Sequence, residues 1–113
     1  MRKLAFPVSG GVLCAHFGHC ESFVLVDMDE DSRTVKGTRT VSAPPHEPGL
    51  LPGWLAGMGV EIVIAGGMGS RARELFTERG ISVITGAECL APEALAKAYL
   101  EGSLRLGENA CDH

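Results

Sequence analysis

The sequence predicts an α/β domain: a five-stranded mixed sheet with an antiparallel front hairpin and a parallel rear half, flanked by about three helices. Three observations carry this reading. Leu4, Phe6 and Val8 alternate near the start, the signature of a strand with one covered face. Phe23-Val24-Leu25-Val26 is separated from a threonine-rich stretch only by the polar turn Asp29-Glu30-Asp31-Ser32, which reads as a hairpin. Two strand–helix pairs then follow one another between Val60 and Gly102, as parallel strands joined by crossover helices require. With 113 residues the chain holds one core, taken as residues 1–103 with a loosely held tail over 104–113.

Each element has its own local reason. The first strand, over residues 2–8, is expected to be brought to an end by Pro7 and the run Ser9-Gly10-Gly11. Residues 21–28 are dense in β-branched and aromatic side chains, which suits a central strand buried on both faces. Residues 34–42, with Thr38, Thr40 and Val41, make a polar outer strand. Pro44, Pro45 and Pro48 exclude regular structure over 43–49, a loop that carries His46. Leu51, Trp54, Leu55 and Met58 recur at helical spacing and form a core-facing stripe.

Residues 60–65 are apolar apart from Glu61 and lead through Gly66-Gly67-Met68-Gly69 into a helix from Ser70, with Ala72, Leu75 and Phe76 inward and Gly80 as the stop. Residues 81–85 give another buried strand, parallel to its predecessor through a right-handed crossover. The last helix opens at Pro92, turns Leu95, Ala98 and Tyr99 to one side and stops near Gly102. Cys89, just ahead of it, is expected to pack as a small core residue.

Composition narrows the function. A formal charge of -4 without a Lys/Arg cluster argues against nucleic acid as a partner. Residues 4–8 are too short and too interrupted by Pro7 for a signal peptide, and no stretch reaches membrane-spanning length, so a cytoplasmic protein is expected. In that reducing compartment four cysteines read as thiols or ligands rather than a disulfide framework. Asp27 and Glu61 are the only evident strand-borne carboxylates, too few for two-metal hydrolysis, and a non-enzymatic role is expected.

The stretch that points to chemistry is Cys14-Ala15-His16-Phe17-Gly18-His19-Cys20. Thiolate and imidazole hold zinc, iron and iron–sulfur centres, and soft sulfur favours clusters over oxygen-loving cations. Cys14, His16, His19 and Cys20 are therefore candidate metal ligands, and Cys111 and His113 in the tail are candidates to join them. Gly66, Gly67, Met68 and Gly69 open a helix whose backbone N–H groups suit an anionic arm or sulfides of a cofactor, so they are the candidate cofactor-binding turn. In open α/β sheets sites form beyond the carboxyl ends of parallel strands. If the first strand and the strand over 60–65 are neighbours, the cysteine loop and the glycine turn share one edge.

His16-Phe17-Gly18 followed by Phe23 and Asp27, the passage Gly59-Val60-Glu61-Ile62-Val63-Ile64-Ala65-Gly66-Gly67-Met68-Gly69, and Ala72, Leu75 and Gly80-Ile81-Ser82-Val83 resemble the dinitrogenase iron–molybdenum cofactor biosynthesis family over roughly residues 1–103. These are small carriers of nitrogenase cofactor precursors and their relatives. The resemblance implies a ribonuclease-H-like fold without nuclease activity, with His16 in the place of the family's cluster-holding histidine. Cys14, His19, Cys20 and Cys111-Asp112-His113 go beyond the minimal pattern and mark a cysteine-enriched branch. The expected function is a non-catalytic carrier of an iron–sulfur or iron–molybdenum-type cluster or its precursor, with cluster donor or acceptor proteins as partners. The alternative is a structural or regulatory protein binding mononuclear zinc.

Overall fold

The computed structural model describes residues 2–14, 20–29, 31–42 and 50–104. Its elements are β1 (Arg2–Ser9), β2 (Val12–Leu13), β3 (Ser22–Asp29), β4 (Thr34–Ser42), α1 (Leu50–Gly57), β5 (Ile62–Ile64), α2 (Ser70–Glu78), β6 (Ser82–Ile84) and α3 (Pro92–Glu101). The strands form one mixed sheet in the order β4-β3-β1-β5-β6, with β2 beside the end of β1. β4, β3 and β1 are antiparallel neighbours, whereas β1, β5 and β6 run parallel. The expected α/β architecture of hairpin front and parallel rear is the one observed, with one strand more.

The additional strand comes from a turn read only as a stop. Ser9 pairs with Val12 and Val8 with Leu13, leaving Gly10 and Gly11 as a two-residue connection. Both have positive φ, 64° and 84°, which the tight primed hairpin turns need and only a residue without Cβ adopts cheaply. Pro7 does not end β1, contrary to the sequence expectation; it pairs in register with Phe23 and the strand runs on to Ser9. On its other side β5 pairs with Leu4 and Ala5 and β2 with Val8 and Ser9, so Pro7 falls between two ladders, where a missing N–H breaks no bond.

Strand alternation separates two cores. Ala5, Phe23, Leu25 and Val63 face α1 and α2, where they pack with Leu51, Leu55, Met68 and Phe76. Leu4, Phe6, Val8, Val26, Ile62 and Ile64 face α3 and pack with Leu95 and Ala96. The predicted helical stripe of 51–58 lies in the first cluster, and Trp54 meets Phe23 edge to face at 5.6 Å between ring centroids. The outer strand β4 is exposed along its length except at Val41, as its threonine-rich sequence requires. No helix among the described residues is long and apolar enough to cross a membrane.

Candidate functional site

β1 and β5 are parallel neighbours, with Leu4 opposite Ile62 and Ala5 opposite Val63. Their carboxyl ends therefore emerge at the same edge of the sheet, and the segments that follow them share one rim. The β1–β2 hairpin delivers Cys14, whose N–H donates to the Pro7 carbonyl at 2.8 Å. On the return path Cys20 precedes Glu21, whose N–H donates to the Val8 carbonyl at 2.9 Å. The seven-residue cysteine stretch is thus anchored at both ends to consecutive carbonyls of β1, which point to opposite sides of that strand.

The glycine turn is built into the same rim. Ala65 donates to Ile84 at 2.8 Å, and Gly86 donates to the carbonyl of Gly66 at 2.8 Å, so the ends of β5 and β6 are laced together beyond their regular pairing. Gly66, Gly67 and Met68 are buried; Gly69, with φ -65° and ψ 155°, lies just before α2 and its carbonyl accepts the Arg73 N–H at 3.1 Å. Leu13 donates to the Leu90 carbonyl at 2.9 Å, which ties β2 to the segment following β6.

Cys14 and Cys20 are outside any disulfide, 7 % and 5 % exposed, in the same apolar cluster as Ala65 and the fully buried Met68. Burial, and secondarily the neighbouring Cys14, push the Cys20 thiol from 9.0 up to about 11. A thiol in such a setting stays protonated at neutral pH unless a cation arrives to compensate the thiolate. It is a poor nucleophile on its own but, with its partner thiol, forms a dry, sulfur-rich donor pair suited to a soft metal centre.

Of the sequence-predicted site residues, the structure thus brings together Cys14, Cys20 and the turn Gly66, Gly67, Met68 and Gly69. His16, His19, Cys111 and His113, and also His46, lie outside the described residues. Among the described residues no group of three or more His, Cys, Asp or Glu stands ready to hold a metal ion. Cys89 corrects an expectation: it is exposed, because α3 offers Pro92, Leu95 and Ala96 to the core and the segment ahead of it stays on the surface. The two carboxylates expected on strands sit at the opposite end of the sheet, Asp27 on β3 and Glu61 just ahead of β5. Asp27 is 3.9 Å from Lys3 and half exposed, and Glu61 donates its N–H to the Lys3 carbonyl at 3.0 Å. They are far from the cysteines in register and do not compose a hydrolytic metal site.

Sequence reasoning missed Ser9 and Glu21. Glu21 Oε1 accepts from the Ser9 hydroxyl at 2.8 Å and from the Gly10 N–H at 3.0 Å, and these bonds, the hydroxyl's first, hold its carboxyl below the usual range. The Gly10-Gly11 pair flanked by apolar residues was the signal for the hairpin they close.

Fold and site together define a small α/β protein with a thiol-bearing rim at the carboxyl ends of β1 and β5. The comparisons give that class its family: the family model described as dinitrogenase iron-molybdenum cofactor matches residues 1–102, and the chain belongs to this family. An uncharacterized protein of Methanocaldococcus jannaschii is 31 % identical over 107 residues, covering 92 % of this chain and 90 % of the relative. The crystal structure of PH0822 is similar with a TM-score of 0.84 at 34 % identity, covering 92 % of this chain and 93 % of that one. The apo form of the orange protein from Desulfovibrio gigas shares the fold, with a TM-score of 0.72, 21 % identity, and 96 % and 95 % coverage.

Proposed function

We propose that this protein is a non-catalytic carrier that takes an iron–sulfur or iron–molybdenum-type cluster, or a precursor of one, as cargo at the rim and passes it to acceptor proteins. The observation that carries the reading is the parallel pairing of β1 with β5, which sets Cys14 and Cys20 and the turn around Met68 at one edge and in one apolar cluster. Membership in the cofactor family supports the class of cargo.

The donor chemistry fits a cargo that must leave again. The Cys20 thiol, pushed up by burial, ligates only as the cargo displaces its proton, so holding and releasing are coupled to proton exchange. The cores on both sheet faces are complete without a metal, unlike those of small domains that unfold when their zinc is removed. His16 and His19, between the two cysteines in sequence, are the proposed nitrogen ligands, and Cys111 and His113 the proposed tail contribution.

Oxygen-free reconstitution with iron and sulfide tests the proposal. A visible charge-transfer chromophore with matched iron and sulfide counts is expected, weakened in Cys14→Ala, Cys20→Ala and His16→Ala. Equal uptake in all three variants would defeat it. Stoichiometric zinc without sulfide in protein purified without oxygen would replace it by the mononuclear reading.

A further inference from the structure

One residue at the rim is bonded to three successive residues, two of them through its side chain, and neither core uses that side chain. Glu21 donates its backbone N–H to the Val8 carbonyl at 2.9 Å, while its Oε1 accepts from the Ser9 hydroxyl at 2.8 Å and the Gly10 N–H at 3.0 Å. Glu21 is the residue directly after Cys20; Ser9 and Gly10 lead through the hairpin to Cys14. One carboxylate oxygen therefore joins the outgoing arm of the cysteine stretch to the returning arm.

The joint falls where the outgoing arm is softest. Gly10 and Gly11 both occupy left-handed conformations, which a chain without Cβ atoms leaves easily, and they lie ahead of the β1–β2 pairs and the Leu13–Leu90 and Cys14–Pro7 bonds that hold the rest of the arm. Without the carboxylate the returning arm keeps its backbone bond to Val8, but the turn leading to Cys14 loses its only side-chain brace among the described residues. The bonds lie at the solvent-facing edge, outside both apolar clusters. Their loss alters the spacing of the arms without opening a cavity.

We infer that Glu21 is a positioning residue of the rim: its bonds to Ser9 and Gly10 fix the separation of Cys14 and Cys20 across the end of β1, and so govern how readily that pair opens to release a bound guest. Release of cargo rests on the carrier reading given above; the spacing of the thiols does not. An amide at position 21 keeps an oxygen in the same place, so Glu21→Gln retains the brace, Ser9→Ala removes one bond, and Glu21→Ala removes both.

The experiment uses the full chain in a Cys89→Ser, Cys111→Ser background, which leaves the two buried thiols as the reporters. Their modification rate by an aromatic disulfide reagent is read first, without metal, alongside a urea titration. Glu21→Ala is expected to raise the rate on the order of three- to tenfold, the factor to which a net hydrogen-bond contribution corresponds. Ser9→Ala should fall between it and the parent, and Glu21→Gln should match the parent. Equal rates in all four proteins, or a Glu21→Gln as fast as Glu21→Ala, would overturn the inference. Should Glu21→Ala fail to fold, the ordering of Ser9→Ala and Glu21→Gln decides.

Reconstitution with iron and sulfide, followed by transfer to a chelator, is read second. The same ordering of release rates supports the whole inference. This second reading is made with Cys111 restored, since it is a proposed ligand: a parent that then takes up no cluster removes the carrier reading while the thiol rates still judge the brace. A parent that loads, with release rates identical across the set, removes the brace.

Discussion

Raising the pH from 8 to 11 should unfasten this protein through one thiol. Cys20 is 5 % exposed, and burial, followed by the neighbouring Cys14, moves its titration from 9.0 to about 11. A group raised in the folded state stabilises the fold while it stays protonated: the contribution is complete below pH 9 and is lost as the pH climbs through about 11. Two pH units at about 1.4 kcal/mol each give a loss of about 2.7 kcal/mol, a sizeable part of the roughly 5–15 kcal/mol available to a domain. At a urea dependence of about 1–3 kcal/mol per molar, the midpoint should fall by about 1–3 M. Tyrosine and lysine titrate over the same range, so the measurement is a difference. Oxygen-free urea titrations of the parent and Cys20→Ala at several pH values should show the parent starting ahead and losing its lead. Parallel curves from pH 8 to 11 would refute the burial argument, and with it the claim that this thiol waits protonated for a metal.

Two further outcomes test the frame around the site. Phe76 is the one buried residue of α2 and is fully enclosed, so Phe76→Ala should cost about 3–5 kcal/mol in urea unfolding; a loss under about 1 kcal/mol would show that α2 is not held by it. Gly69 has φ -65° and open space where a Cβ would sit, so Gly69→Ala should leave stability within about 0.5 kcal/mol in urea unfolding; a larger loss would show that the turn needs a residue without Cβ there.

Several features were legible because they depend on near neighbours in sequence. Alternation put Leu4, Phe6 and Val8 on one face, and helical spacing marked Leu51, Trp54, Leu55 and Met58 as core. Other features were read wrongly because the deciding partner is remote. Pro7 looks like a terminator until the gap between the β5 and β2 registers is known. Cys89 looks like a core residue until α3 is seen to fill that space with Leu95 and Ala96.

By itself the sequence determined the succession of elements, the two-faced character of the strands, the gathering of thiols and imidazoles into one stretch, and the family. These follow from periodicities of two and 3.6 residues and from side-chain chemistry, all local. Tertiary structure alone decided that β5 lies beside β1, that the glycine turn consequently reaches the cysteines, that Cys14 and Cys20 are dry, and that Glu21 braces the hairpin between them. The physical reason is that strand pairing joins residues almost sixty positions apart, and desolvation of a thiol depends on what packs over it; neither is written in any short window of the chain.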